Sequence, residues 1–295
     1  MTGRRVLVVG DVVDDVLVRP LGATAVASDT AAEIDRQPGG SAANVAAWLG
    51  RAGTDVVFVG RVGAQDVHRH TAALAAYGVD ARLAADDLQS TAAIVLLVDP
   101  AGERTMYVDR GANAGLVPGD VPGAGWQDAG CLHLTGYTFF DPAVRPTARH
   151  LVEQAVALGV QVSVDPSSSA FLRAAEGDFL GWVEGASLVT PNLDEAMVLT
   201  GSTAPEDAAR ALLAYVPEVV VTCGHDGVLW MNRSSDPMWT RAISTEVVDT
   251  TGAGDAFCAG LLAARARDES LTEQLEAGVR LAAVAASRLG GRPPG

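Results

Sequence analysis

Short apolar, β-branched runs alternate with helix-forming stretches along most of this chain, and glycine marks many of the changes. Residues 5–9, 56–59, 131–134, 160–164, 188–190 and 219–223 have strand character. Residues 41–49, 66–77, 143–158, 254–267 and 271–289 read as helices, and another helix follows Pro191. Strands that are apolar on both sides must be covered on both faces, and strands separated by helices pair in parallel. The expected fold class is therefore α/β, with a mostly parallel central sheet between two helical layers. The chain has 295 residues, enough for one large domain or two small ones. No repeat or low-complexity linker divides it, so a single domain over 1–295 is expected.

Two stretches break the rhythm. Residues 12–37 and 91–110 have strand character without an intervening helix. In the second, Asp99-Pro100-Ala101-Gly102 reads as the turn of a hairpin. These segments are expected to form a small antiparallel lid inserted in the main domain. Lids of this kind exclude water and complete a site on closure.

Charge narrows the chemistry. All 21 basic residues are Arg, there is no Lys, and the net charge is −15. Without Lys there is no Schiff-base chemistry, no P-loop lysine and no protein-kinase-type site. The acidic balance speaks against nucleic acid and against an anionic membrane surface. No apolar run is long enough to span a bilayer, and Gly10, Asp11, Asp14 and Asp15 interrupt the only signal-like start. Cys131, Cys223 and Cys258 are widely spaced, as buried thiols of a reducing compartment would be, so a cytoplasmic location is expected. The five histidines show neither metal-ligand nor triad spacing.

The most informative segment is Val248-Asp249-Thr250-Thr251-Gly252-Ala253-Gly254-Asp255-Ala256-Phe257. Two glycines allow a tight turn that opens a helix, and a helix N-terminus is an anion site suited to phosphate. Asp255 at its mouth could take a proton from an attacking hydroxyl while the N–H groups stabilise a transferred phosphoryl group. The alternative is a plain loop with Asp255 as helix N-cap. A dinucleotide fingerprint is excluded, because its third glycine is missing.

This segment resembles the C-terminal signature of the ribokinase-like (PfkB) carbohydrate kinases. A second match lies near the N-terminus, at Pro38-Gly39-Gly40-Ser41-Ala42-Ala43-Asn44-Val45-Ala46, continuing through Gly53, Gly60 and Gly63 to Asp66. The two signatures stand in the family's order and the resemblance covers essentially the whole chain. It implies a ribokinase-like three-layer αβα sandwich with a small β lid, and transfer of the γ-phosphoryl group of ATP to a sugar or nucleoside hydroxyl with Mg²⁺.

The resemblance carries over residue by residue. Asp255 matches the catalytic base, and Gly252, Ala253 and Gly254 the backbone anion hole. Asp15, Gly39, Gly40, Asn44 and Asp255 itself match substrate-binding positions. Asn192 and Glu195 match a motif linked to phosphate and, indirectly, Mg²⁺; the same pair also reads as a capping box. Thr222, Gly224 and Gly227 match the nucleotide side. Asp249 and Thr251 match positions that hold a monovalent cation, K⁺, in some members. Lid pairing between two copies is the family's route to a homodimer.

The chain departs from the pattern in three places. The last helix has no Asn near adenine in Leu281–Ala286. Ser41-Ala42 replaces the Lys-Gly of strict ribokinases. Residues 165–169 lack the Asn-x-Arg continuation of several sugar-acid and fructose kinases. The leading expectation is a kinase of a small neutral sugar. The alternatives are a nucleoside kinase, for pseudouridine or adenosine, and an inactive ligand-binding relative, against which the intact Asp255 and glycine pair argue. Any side-chain cation at the site must be Arg. Arg104 and Arg110 flank the lid hairpin, and solvated surface is their plain reading.

Overall fold

The computed structural model describes residues 4–98 and 104–294. The chain begins with β1 (Arg5–Val9), runs out into β2 (Val13–Pro20) and β3 (Ala32–Gly39), and returns through helix α1 (Ser41–Arg51) to β4 (Val56–Gly63). After α2 (Val67–Ala75) and β5 (Asp80–Asp86) it leaves again for β6 (Ala92–Val98) and β7 (Arg104–Asp109). Next come α3 (Gly123–Trp126), β8 (Ala129–Thr135), α4 (Tyr137–Phe140), α5 (Arg145–Ala157), β9 (Gln161–Asp165), α6 (Ser169–Ala174) and α7 (Phe179–Trp182). The last part is β10 (Leu188–Val189), α8 (Leu193–Thr200), α9 (Pro205–Leu212), β11 (Glu218–Thr222), β12 (Val228–Asn232), β13 (Met238–Thr240), α10 (Ala253–Ala266) and α11 (Leu271–Ala286).

The main sheet has the order β13-β12-β11-β10-β9-β8-β1-β4-β5. It is parallel from β5 to β11 and antiparallel at β12 and β13. Side chains alternate across it with the strand period of two. Val6, Val8, Val56 and Phe58 pack with Trp48, Phe257 and Leu261 of α1 and α10. Leu7, Val9, Val57 and Val59 face the opposite layer, with Leu151 of α5 and Leu212 of α9. Both faces are apolar because both are covered, which is why the strands read as continuous apolar runs.

The small sheet has the order β3-β2-β6-β7. The expected hairpin pairing of β6 with β7 is present, with Ile94 opposite Val108 and Leu97 opposite Thr105. Its turn, Asp99–Gly102 in the sequence reading, lies outside the described residues, as does the side chain of Arg104. The sheet is mixed, however, not purely antiparallel: β2 and β6 run parallel. Both strands leave the main sheet after parallel strands, β1 and β5, and so set out in the same direction.

Three further differences concern bounds. Residues 66–77 split into a short 3₁₀ turn, Ala64–Asp66, and α2. Helix α11 stops at Ala286, before the glycines that follow. Strands β5, β12 and β13 are additional to the sequence reading: β5 is poor in apolar residues, β12 is apolar but follows β11 with only a short turn between, and β13 has only three residues. No described helix is long and apolar enough to cross a membrane.

Candidate active site

Asp14 and Asp15 are neighbours on β2 and so point to opposite faces of the small sheet. Asp14 turns away: Arg69 clamps both its oxygens at 2.7 Å, and His70 lies 3.3 Å from it. Arg69 also bonds Asp66, which accepts the Thr91 hydroxyl at 2.7 Å. This network pins the roots of β2 and β6 to the start of α2. Asp15 faces inward with Val13, Leu17 and Arg19, into a cavity of about 900 Å³ between the two sheets. The cavity's floor is formed by loops at the ends of the parallel strands, the usual ligand site of open α/β sheets.

Asp255 lies on that floor, 9% exposed. It is not the N-cap of α10; Gly252 is, with φ 73°. Asp255 sits in the first helical turn, whose N–H groups have no acceptor within the helix. Its carboxylate accepts the Ser41 hydroxyl at 2.7 Å and the Asn44 amide at 2.9 Å. Burial pushes its pKa up to about 6, and those two hydrogen bonds oppose the rise. A carboxylate poised near neutrality can accept a proton and release it again.

The α1 end is built around a residue the sequence reading passed over. Asp11 accepts the N–H groups of Ser41 at 2.8 Å and Ala42 at 3.2 Å, and the Thr135 hydroxyl at 3.2 Å. It therefore fixes the helix that carries Ser41 and Asn44. Gly40 has φ 98°, and a Cβ there would lie 2.5 Å from the Asp11 carbonyl oxygen. Gly39 leaves room for the Asp15 carboxylate. Burial and Asp11 raise Asp15 to about 6. Gly40, Asn44, Asp15 and Asp255 thus converge on one end of the cavity, and the Asn44 Oδ1 atom there is buried with no partner.

Asn192 and Glu195 form the capping box of α8: the Glu195 carboxylate accepts Asn192 N–H at 3.0 Å, and Asn192 Oδ1 accepts Glu195 N–H at 2.9 Å. Such a cap contributes about 1 kcal/mol, yet both side chains also line the cavity. Burial raises Glu195 to about 7, and burial with the Glu195 charge raises Asp165. Two like-charged buried carboxylates suit a nearby cation. Among the described residues, no group of three or more acidic, His or Cys side chains could hold a metal ion by itself.

Thr222, Gly254 and Phe257 border both this cavity and a second one of about 580 Å³. Gly224 and Gly227 line the second cavity, whose other walls include Val279, Ala282, Ala283 and Ala286 of α11. The missing amide on that helix leaves an apolar, flat-sided slot. Asp249 is buried; it accepts Thr251 N–H at 3.0 Å, the Thr251 hydroxyl at 2.7 Å and Gly290 N–H at 3.2 Å.

Arg110 also lines the first cavity, but it is not free surface. It donates to the Tyr137 carbonyl at 3.1 Å and lies 3.5 Å from Asp141. Of the histidines, His70 and His133 are buried and His68, His150 and His225 are exposed.

Residues 4–294 match the pfkB family carbohydrate kinases. The chain belongs to that family. It is 32% identical to a fructokinase of Salmonella typhimurium over 286 residues, 91% of this chain and 87% of that one. It is 30% identical to the bifunctional protein HldE of Caulobacter vibrioides over 296 residues, 92% of this chain but 57% of that longer protein. The solved structure of a Vibrio cholerae fructokinase, with fructose, ADP and calcium bound, is 26% identical, has a TM-score of 0.81, and is matched over 99% of this chain and 95% of that one. The ribokinase-like fold and a sugar- or nucleoside-kinase activity follow for this pfkB chain, and the inactive alternative falls away.

Proposed function

We propose that this pfkB kinase moves the γ-phosphoryl group of ATP to a hydroxyl of a small neutral sugar, with the small sheet acting as the lid of a single kinase domain. The carrying observation is Asp255, placed where the acceptor end of the first cavity meets the first turn of α10. The acceptor hydroxyl displaces a donor from the Asp255 carboxylate and gives it the proton. Its oxygen bonds the γ-phosphorus as the bond to the β,γ-bridging oxygen breaks, and ADP leaves. The N–H groups of Gly252, Ala253 and Gly254 stabilise the charge on the moving group. Asp15, Asn44 and the Gly39-Gly40 turn hold neighbouring hydroxyls of the acceptor. Thr222, Gly224 and Gly227 border the nucleotide, with its base in the apolar slot. Asn192, Glu195 and Asp165 would place Mg²⁺, which neutralises the phosphates. Asp249 and Thr251 would hold K⁺. A cytoplasmic protein suits the three free, buried cysteines. Ile34 and Tyr107, 63% and 61% exposed on the lid, support a homodimer through that sheet.

A neutral acceptor is favoured over a sugar phosphate. Asp11, Asp15, Asp165, Asp255 and Glu195 all line the first cavity, against Arg19 and the engaged Arg110. One observation favours a nucleoside instead. The lid turns Leu17, Ile94, Leu96, Met106 and Val108 toward the cavity, beside Phe171 and Tyr137 in edge-to-face contact at 6.0 Å. That surface suits a base better than a ring of hydroxyls.

An ADP-release assay across pentoses, hexoses, their phosphates and nucleosides decides among these. Neutral sugars should exceed their phosphates in kcat/KM by about tenfold or more, the effect of one uncompensated charge contact. Nucleosides outperforming both would select the second reading.

The acid limb follows from Asp255 and Asp15. Both must be ionised, and each is raised to about 6. The kcat/KM for the acceptor should therefore be level above neutrality and fall as pH drops through about 6, measured with the acceptor well below KM. A limb near the ordinary carboxylate range would exclude both groups as the titrating pair.

A further inference from the structure

After α11 the chain doubles back under the site instead of leaving it. Gly290 N–H bonds Asp249, and the Gly291 carbonyl accepts Trp48 Nε1 of α1 at 2.9 Å. Arg292 Nη2 donates to the Gly39 carbonyl at 3.2 Å, and the Pro293 carbonyl accepts the Tyr77 hydroxyl at 3.1 Å. Gly291 also packs against Asn44 and Gly252. Four consecutive residues thus tie together the Asp249 loop, α1, the end of β3 and the end of α2.

We propose that residues 290–293 are a strap that completes the acceptor end of the site, with Arg292 as its positioning residue. Arg292 would hold the Gly39-Gly40 turn from behind and supply positive charge to the Asp11, Asp15 and Asp255 carboxylates. This rests on the kinase reading above. Gly290 and Gly291 line the first cavity and Arg292 does not, so it acts through its neighbours and not on the acceptor itself.

The second observation is electrostatic. Arg292 Nε and Nη1 are buried with no hydrogen-bond partner. Among the described ion pairs Arg292 has none within 4.0 Å. A guanidinium in that position is costly unless surrounding charge offsets it. What faces it is Asp11 after β1, Asp15 on β2, Asp255 on α10, Tyr77 after α2 and, with repulsive sign, a protonated His70 on α2. Burial brings Arg292 down to about 10, so it remains charged at neutral pH. In return its charge lowers both Asp15 and Asp255, against burial, Asp11 and, for Asp15, Asp14. Asp255 is also held by Ser41 and Asn44, and its charge is felt by Tyr137 and Asp165. The cation therefore offsets part of the rise that burial imposes on Asp15 and Asp255, while forming an ion pair with neither that would block it.

The test is the pH dependence of kcat/KM for the acceptor in Arg292→Met, Arg292→Lys and wild type, with Asp255→Asn as the control for the kinase reading. Arg292→Met should move the acid limb up by about one pH unit, because one unit is a tenfold change in protonation. Its deficit should be large near pH 6 and small near about pH 9, where both carboxylates ionise without help. Arg292→Lys keeps the charge and loses the planar fork, so the limb should stay put while acceptor KM rises about threefold to tenfold. Thermal melts show which variants are folded; if Arg292→Met is not, Arg292→Gln takes its place. A limb that does not move in either neutral variant, or a loss equal at all pH values, overturns the role of Arg292. A limb that moves equally in Arg292→Lys overturns the charge argument. Absence of Asp255-dependent ADP release in wild type overturns the kinase reading instead.

Discussion

Asp255→Asn should lower kcat by about a thousandfold and change acceptor KM by less than about threefold, since a positioned general base contributes 10²–10⁴-fold. The amide is nearly isosteric and can keep both contacts. Its Oδ1 accepts from Asn44 and its Nδ2 donates to Ser41, whose hydroxyl rotates to accept. What it cannot do is take the acceptor's proton. The substitution should also leave the fold intact and stabilise it at alkaline pH. Burial raises the folded-state pKa of Asp255 from 3.8 to about 6. A raised carboxylate means that the charged form costs folding energy above about pH 6, and that this cost vanishes below the unfolded value. Asn never bears the charge. Its melting temperature should therefore exceed wild type at about pH 8 and converge with it toward about pH 4. A variant that loses activity and melts lower at every pH would mean that Asp255 holds the loop together and that its loss is structural.

The fold, and the residues that meet at the candidate site, were largely legible in the sequence for a physical reason. Buried parallel strands must be largely apolar on both faces, so β1, β4 and β11 contain unbroken apolar runs, and β8 and β9 are broken only by His133 and Ser163, which bond each other. The glycines at 252 and 254 and the Asp that follows carry a local signature, because a helix start is built from consecutive residues and its free N–H groups make an anion site. Asp15 over Asp14 is a matter of parity along β2, and the strand period of two places only Asp15 in the cavity.

Other features were not legible, because they depend on contacts far apart in the chain. Asp11 looks like one more acidic residue until α1 is seen resting on it, 30 positions later. Arg292 reaches Gly39 across 253 positions, and nothing near Arg292 in the chain hints at it. Asp165 was considered only for the motif it lacks. Its approach to Glu195 comes from pairing of β9 with β10, which sets the end of β9 beside the start of α8. The absence of lysine said that a side-chain cation must be Arg, but only the return of the tail identifies one that the acceptor carboxylates feel.

Gly252→Ala and Gly254→Ala should separate sharply, although the sequence gives the two glycines the same weight. Gly252 has φ 73°, and a Cβ there would sit 2.5 Å from Gly291 Cα, with the Gly291 carbonyl oxygen at 2.9 Å. Both obstacles are backbone, so neither yields by a rotamer change. The left-handed conformation alone costs a non-glycine residue about 1–2 kcal/mol. Relieving the contact must push apart the loop that opens α10 and the strap that crosses it. Because the first N–H groups of α10 are aimed by that loop, a shift of even part of an ångström misdirects them. Loss of one such donor costs about 10²–10³ in kcat, so Gly252→Ala should fall at least that far, and it should melt a few degrees lower, about 2–4 °C per kcal/mol for a chain of this size. Gly254 differs in both respects. It lies in the helix without positive φ, and nothing stands within 4 Å of its would-be Cβ. In a helix interior Ala is favoured over Gly by about 1 kcal/mol; in the first turn of α10 the same preference acts more weakly, so Gly254→Ala should melt at or slightly above wild type. It nonetheless borders both cavities, and a methyl group there would enter the space that the proposed function gives to the phosphates. A folded Gly254→Ala with ATP KM raised about tenfold, the effect of crowding one phosphate contact, beside a destabilised Gly252→Ala with collapsed kcat, would assign Gly254 to phosphate access and Gly252 to backbone geometry. Equal losses in stability for the two would contradict the strap's contact with the loop.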